Sequence, residues 1–140
     1  MTKEISCFKA YDVRGRIPSE LNEDVAYRIG AGVASYFGAE SVVVGYDVRP
    51  SSIDILNALT KGINSKGAKV YSIGLCGTEE IYFATNHLNT DAGVMITASH
   101  NPADYNGLKI VGKGAKPVSM DSGLDEIKNI AEASESKTDK

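Results

Sequence analysis

Apolar positions along this chain recur in two alternating rhythms. Between Asn22 and Gly38, the residues Val25, Ile29, Val33 and Phe37 return every fourth position and lay one stripe along a helix. Asn22 is placed to cap it, Glu23 and Asp24 suit its positive end, and Gly38 is a natural stop. "SVVVGYD" (41–47) is β-branched and apolar without polar alternation, as expected of a strand covered on both faces. The alternation then repeats. Ser51 or Ser52 is expected to cap a second helix carrying Ile55, Leu56, Leu59 and Ile63 and closed by Gly67, and "AKVYSIG" (68–74) follows as a second strand of the kind covered on both faces. A third helix is expected from Thr78 to His87, then strands at "DAGVMITAS" (91–99) and "LKIV" (108–111), and a closing helix at "SGLDEIKNIAEA" (122–133). Ahead of all these, "ISCFKAYDV" (5–13) reads as a strand that ends in a turn at Arg14-Gly15.

Strand–helix–strand units with short links predict a mostly parallel sheet with helices on both faces. Between Thr97 and Leu108 there is room for a loop but not for a crossover helix, so the last strand has to return antiparallel as a hairpin. Asn106-Gly107 is the expected reversal, since glycine takes positive φ without steric cost, and Pro102 stiffens the other limb. The fold class is therefore α/β: a three-layer α/β/α sandwich on a mixed, mostly parallel sheet whose last strand is antiparallel. One domain is expected over residues 1–133, with a polar, linker-like tail at 134–140. Ligands of such sheets sit beyond the carboxyl ends of the parallel strands. Three segments fall there: "GYDVRPS", "GLCGTEE" and "TASHNP".

Composition narrows the function classes. Hydrophobic residues make up 42% and charged residues 24% of 140 residues, which is ordinary for a globular domain. The net charge of −3 has no clustered basic face behind it, which argues against a nucleic-acid partner but not against a small anion. No run is long enough for a membrane span, and "MTKEISCFKAYD" has no apolar leader, so a membrane partner and a secretory signal are not expected. Cys7 and Cys76 read as buried, reduced thiols, which suits a cytoplasmic location. Nothing near Cys76 marks an activated thiolate, and His87 at a helix end reads as structural. Arg49, on the rim, is either a phosphate contact or half of a salt bridge.

The loop "TASHNP" carries the most chemistry. Ser99 lacks a G-x-S-x-G frame, and its immediate neighbour His100 is poorly placed as its base, so a hydrolase nucleophile fits badly. A phosphoryl carrier fits better. Phosphate monoesters hydrolyse so slowly unaided that enzymes accelerate the reaction by up to ~10²¹-fold, so a seryl phosphate is a safe depot. Its charge of roughly −1.5 to −2 needs cations and N–H donors around it. Lys109, His100, Asn101 and Arg14 are the candidates, Arg14 only if its strand joins the same rim.

"TASHNP" with "YNGLKI" behind it, and "FKAYDVRG" near the N-terminus, closely resemble the α-D-phosphohexomutases; "GTEEIYFAT" (77–85) is most similar to their bacterial phosphomannomutase branch. The resemblance spans residues 5–133. It implies that Ser99 is the phosphoserine, and that one oxygen of its phosphate ligates the essential Mg²⁺. His100 and Lys109 match positions at the reacting centre, and Tyr11 and Arg14 match the motif lining the same cleft, with Asn101 positioning the loop. The implied reaction interconverts mannose 6-phosphate and mannose 1-phosphate through a hexose 1,6-bisphosphate and supplies GDP-mannose synthesis. The implied partners are a hexose phosphate and the enzyme's other domains. Such enzymes are usually built from four domains, and this chain resembles only the first: the Asp-rich magnesium loop, the sugar-recognition loop and the phosphate clamp are absent, so the piece alone is expected to be inactive. A phosphoglucomutase or dual-specificity domain, or a sugar-phosphate-binding module without chemistry, remains open on the same residues.

Overall fold

The computed structural model describes residues 5–97 and 104–134. Within them the chain runs β1 (Val13–Arg16), α1 (Glu23–Phe37), β2 (Ser41–Tyr46), α2 (Ser52–Asn64), β3 (Lys69–Leu75), α3 (Thr78–His87), β4 (Ala92–Ile96), β5 (Tyr105–Gly112), β6 (Lys116–Pro117) and α4 (Leu124–Ala133). The strands form one sheet in the order β1-β5-β4-β2-β3, with the short β6 also against β5. β3, β2 and β4 are parallel, and β5 returns antiparallel to β4. β1 is antiparallel to β5 and so points the same way as β4. The expected mixed sheet is found, and β1 does bring its residues to the common carboxyl rim, but β3 is an edge strand and largely exposed, not covered on both faces.

The two faces are covered unequally. Ala92, Val94 and Ile96 of β4 and Leu108 and Ile110 of β5 point into the main core, where Val25, Ile29 and Val33 of α1, Leu59 and Ile63 of α2 and Ile127 of α4 meet them. The alternate positions Met95 and Val111 meet Ile81 of α3 in a second, smaller cluster. Among the described α-helices α3 is the one that packs on that face, against β4 and β2, with the 3-10 turn Lys113–Ala115 against it. The strip of β5 and β1 beside it therefore carries no helix.

Local chemistry accounts for most boundaries. Asn22 Oδ1 accepts from the Val25 backbone N–H at 2.9 Å, and Gly38 closes α1 at φ 55°. At α2 the expected cap is not made: Ser51 is the N-cap residue but offers no capping hydrogen bond. Its hydroxyl and that of Ser52 are engaged by Asn106 instead. The helix ends at Asn64, before Gly67.

The N-terminal expectation is corrected. Residues 5–12 form no strand; the chain doubles back, with Lys9 N–H donating to Asp12 O (2.7 Å), Arg14 N–H donating to Cys7 O (2.8 Å) and Phe8 bridging to Val13. Ile5, Cys7 and Phe8 are apolar because they fill the core, not because they alternate across a strand. The strand lies later, through Arg14-Gly15, the pair expected to form a turn. Gly15 is there for space: a Cβ would stand 2.9 Å from Glu20 Cβ and 3.0 Å from Cys7 Cβ.

Candidate functional site

On the strip that no described helix covers, three charged residues gather: Asp12, Arg14 and Lys109. In β5, Gly107, Lys109 and Val111 share one face, and cross-strand partners share it too, so Met95 lies beside Lys109 and Arg14 beside Gly107. Lys109 thus stands on the α3 side of the sheet, beyond the reach of α3. Its Nζ donates to Asp12 Oδ2 at 3.0 Å, and Arg14 Nη2 lies 3.7 Å from Asp12 Oδ1. One carboxylate engages both cations, an oxygen each. Asp12 is held at 13% exposure, while the Lys109 and Arg14 side chains keep 32% and 41%. Two positive charges against one negative leave the cluster net positive and open to solvent. An incoming phosphate oxygen would find both cations already aligned.

The backbone here is tightly pressed, and a second expectation is corrected. Asn106-Gly107 is no turn: both residues lie inside β5. Gly107 is not among the described glycines with positive φ. A Cβ on Gly107 would meet Val13 O at 2.2 Å, Thr97 O at 2.9 Å and Arg14 Cα at 3.2 Å. Glycine is needed because the end of β4 and both strands β1 and β5 converge on one point, which brings Arg14 and Lys109 together. Asn106 is fully buried and serves a polar cluster described below.

The other candidates separate. Ser99, His100 and Asn101, with Pro102, lie outside the described residues; Thr97 and Asp104 stand on either side. Tyr11 sits in the 9–12 reversal at 79% exposure, so it is no part of the core. Arg49 is paired with Asp47, Nε to Oδ2 at 3.7 Å, and donates to Tyr105 O at 3.1 Å. The salt bridge to Asp47 is formed. Burial, with the Glu80 charge adding to it, raises the Cys76 thiol above 9.0, as an inert thiol requires. Cys7, fully buried, is pushed up to about 12 by desolvation. His87 stacks on Phe83 at 5.2 Å at the end of α3. Asp12 went unnoticed in the sequence; its signal was its place between Tyr11 and Arg14 in "YDVRG".

The described residues do not by themselves fit a metal ion. They contain no group of three or more His, Cys, Asp or Glu side chains able to hold one. Asp12 is taken by Lys109 and Arg14, and Asp47 by Thr97 and Arg49. No helix among the described residues is long and apolar enough to cross a membrane.

Residues 6–138 match the family model described as phosphoglucomutase/phosphomannomutase, alpha/beta/alpha domain I. The chain is 54% identical over 133 residues to a phosphomannomutase of Salmonella typhimurium, covering 95% of this chain and 29% of that protein. It is 52% identical over 129 residues to a phosphomannomutase of Klebsiella pneumoniae, covering 92% of this chain and 82% of that one. Among solved structures, a putative phosphomannomutase from Thermus thermophilus superposes with a TM-score of 0.84 at 29% identity, over 94% of this chain and 30% of its own. A phosphoglucomutase/phosphomannomutase family protein from Burkholderia thailandensis gives 0.83 at 36% identity, over 95% and 31%. The chain thus spans about 29% of the length of the Salmonella relative.

Proposed function

Since the chain belongs to the phosphoglucomutase/phosphomannomutase family, as its alpha/beta/alpha domain I, we propose that it is the phosphoserine domain of a phosphomannomutase. In this reading the complete enzyme interconverts mannose 6-phosphate and mannose 1-phosphate, in the cytoplasm, as a supply of precursor for GDP-mannose. Ser99 carries the phosphoryl group. In the first half-reaction the P–Oγ bond of phosphoserine breaks as a sugar hydroxyl oxygen bonds to phosphorus, and the hydroxyl proton passes by way of His100 to the departing Ser99 Oγ, a transfer the second half-reaction runs in reverse. The hexose 1,6-bisphosphate so formed returns its other phosphoryl group to Ser99 Oγ. Arg14 and Lys109 offset the charge of the moving group, Asn101 positions the loop and Tyr11 lines the cleft.

The observation that carries this reading is the Lys109–Asp12–Arg14 cluster, with Arg14 paired to Gly107, whose carbonyl accepts from the Thr97 N–H. Positioning and charge compensation supply most of the catalysis of phosphoryl transfer, so a rigid pair of aligned cations is what the reaction asks of this face. Mg²⁺ would be held from this chain by an oxygen of the Ser99 phosphate. Intact-mass measurement tests the reading: the chain is incubated with glucose 1,6-bisphosphate in the presence of the remaining domains. One phosphoryl group is expected on the wild type and none on Ser99→Ala. Labelling that survives Ser99→Ala, or sugar-phosphate binding with no labelling at all, would sink it.

A further inference from the structure

Behind the cation cluster lies a second polar group of residues that the proposed chemistry does not use. Asp47 directly follows β2, where Tyr46 pairs with Ile96 at the end of β4. Its backbone N–H donates to Ile96 O at 3.0 Å. Its Oδ2 accepts from Thr97 Oγ1 at 2.6 Å and faces Arg49 Nε at 3.7 Å, and its Oδ1 accepts from Ser52 Oγ at 3.4 Å. Arg49 continues to Tyr105 O at 3.1 Å. Asn106 Nδ2 reaches Ser51 Oγ at 2.8 Å and Ser52 Oγ at 3.2 Å, and its Oδ1 accepts from the Gly107 N–H at 2.9 Å. Thr97 at the end of β4 and Tyr105–Asn106 at the start of β5 are thus tied to one segment, 47–52, far away in sequence.

Stability alone does not explain such a cluster. Buried ionic and polar groups contribute little net stability against well-packed apolar ones. What they do supply is direction, because a charge-assisted hydrogen bond fixes an angle as well as a distance. Ser52 and Asn106 are fully buried, and the Arg49 side chain is only 11% exposed, so water competes poorly for these bonds.

We propose that Asp47, Arg49 and Asn106 are positioning residues for phosphoryl transfer: they hold Thr97, at the end of β4, and Tyr105, at the head of the strand that carries Lys109, at a set spacing. The inference rests on Ser99 being the phosphoryl carrier.

The test uses the full-length enzyme carrying this domain, charged with glucose 1,6-bisphosphate, and single-turnover transfer from the phosphoserine to mannose 1-phosphate. Asp47→Ala and Arg49→Lys are expected to slow transfer by about 10- to 100-fold, as misplacement by ~1 Å does, while KM moves by less than about threefold. Asp47→Asn keeps an acceptor for Thr97 and should recover part of the rate. Arg49→Lys keeps the charge near the rim and guards against a folding failure of Asp47→Ala. Wild-type transfer rates in these variants, or losses that follow the unfolded fraction alone, would overturn the proposal. Ser99→Ala, followed by mass, tells the two failures apart: if it still takes the label, the carrier assignment fails and the positioning role falls with it. If it loses the label while Arg49→Lys and Asp47→Ala transfer normally, only the positioning role is overturned.

Discussion

Gly107→Ala puts the geometry of the site under a defined load. The new methyl group would stand 2.2 Å from Val13 O and 2.9 Å from Thr97 O, both backbone atoms that no rotamer change can move. Restoring van der Waals contact asks β1 to withdraw from β5 by roughly 1 Å, and overpacking of this kind costs about 1–3 kcal/mol. Removing a strand glycine returns roughly 0.5–1 kcal/mol of backbone entropy, since alanine suits an extended conformation. At the middle of both ranges sterics win, for a net loss of about 1 kcal/mol. Because β1 carries Asp12 and Arg14 with it, displacement by ~1 Å should also lower kcat by about 10- to 100-fold. Urea denaturation of this chain and turnover of the full-length enzyme measure the two effects. Gly38→Ala is the contrast: at φ 55° with no atom within 4 Å of its Cβ, it strains the end of α1 and should spare turnover per folded molecule. A Gly107→Ala enzyme with wild-type stability and wild-type kcat would refute the convergence argument.

Asp12→Asn removes the charge shared by Lys109 and Arg14. Both cations are about a third or more exposed, so the stability loss should stay near 1 kcal/mol or below, while kcat falls at least about tenfold because the cations lose their alignment. A denaturant midpoint that collapses while turnover holds would contradict this order. Cys7 gives a pH dependence. Its folded thiol is pushed from 9.0 to about 12, so above pH 9.0 the unfolded chain loses the proton that the folded chain keeps, and stability falls as pH rises toward 12. The slope is at most about 1.4 kcal/mol per pH unit, and Cys7→Ala should flatten it in denaturation curves across about pH 9 to 11. An unchanged alkaline limb in Cys7→Ala would rule this thiol out as the cause.

Much of the architecture was legible because it follows from covering an apolar surface. β2 and β4 are apolar runs since both of their faces are covered, and α1 advertises its cap, its stripe and its glycine stop. The failures share one cause. Arg14-Gly15 and Asn106-Gly107 are turn signals by local preference, yet both glycines serve close approach: Gly15 to Cys7 and Glu20, where the chain doubles back, and Gly107 to Val13 and Arg14 of β1, far off in sequence. Local rules register conformation, whereas contact between β1 and β5 is a fact of tertiary structure. Ser51 and Ser52 were misjudged for the same reason: their hydroxyls serve Asn106, more than fifty positions away, in place of the helix end. Lys109 and Arg14 were legible as candidate cations; the shared Asp12 that brings them together was not.

The sheet divides the molecule's vulnerabilities as well as its layers. Three helices insulate one side, and drift among Val25, Leu59 or Ile127 there changes how many copies survive quality control in the cell, because small losses of stability alter abundance several-fold. The strip beside α3 that no described helix covers holds half-exposed residues that add little to cohesion, so under the proposed function change at Arg14 or Lys109 leaves the copy number intact and alters what each copy accomplishes. Natural selection therefore meets two separable targets in one small domain, parted by the thickness of a single β-sheet.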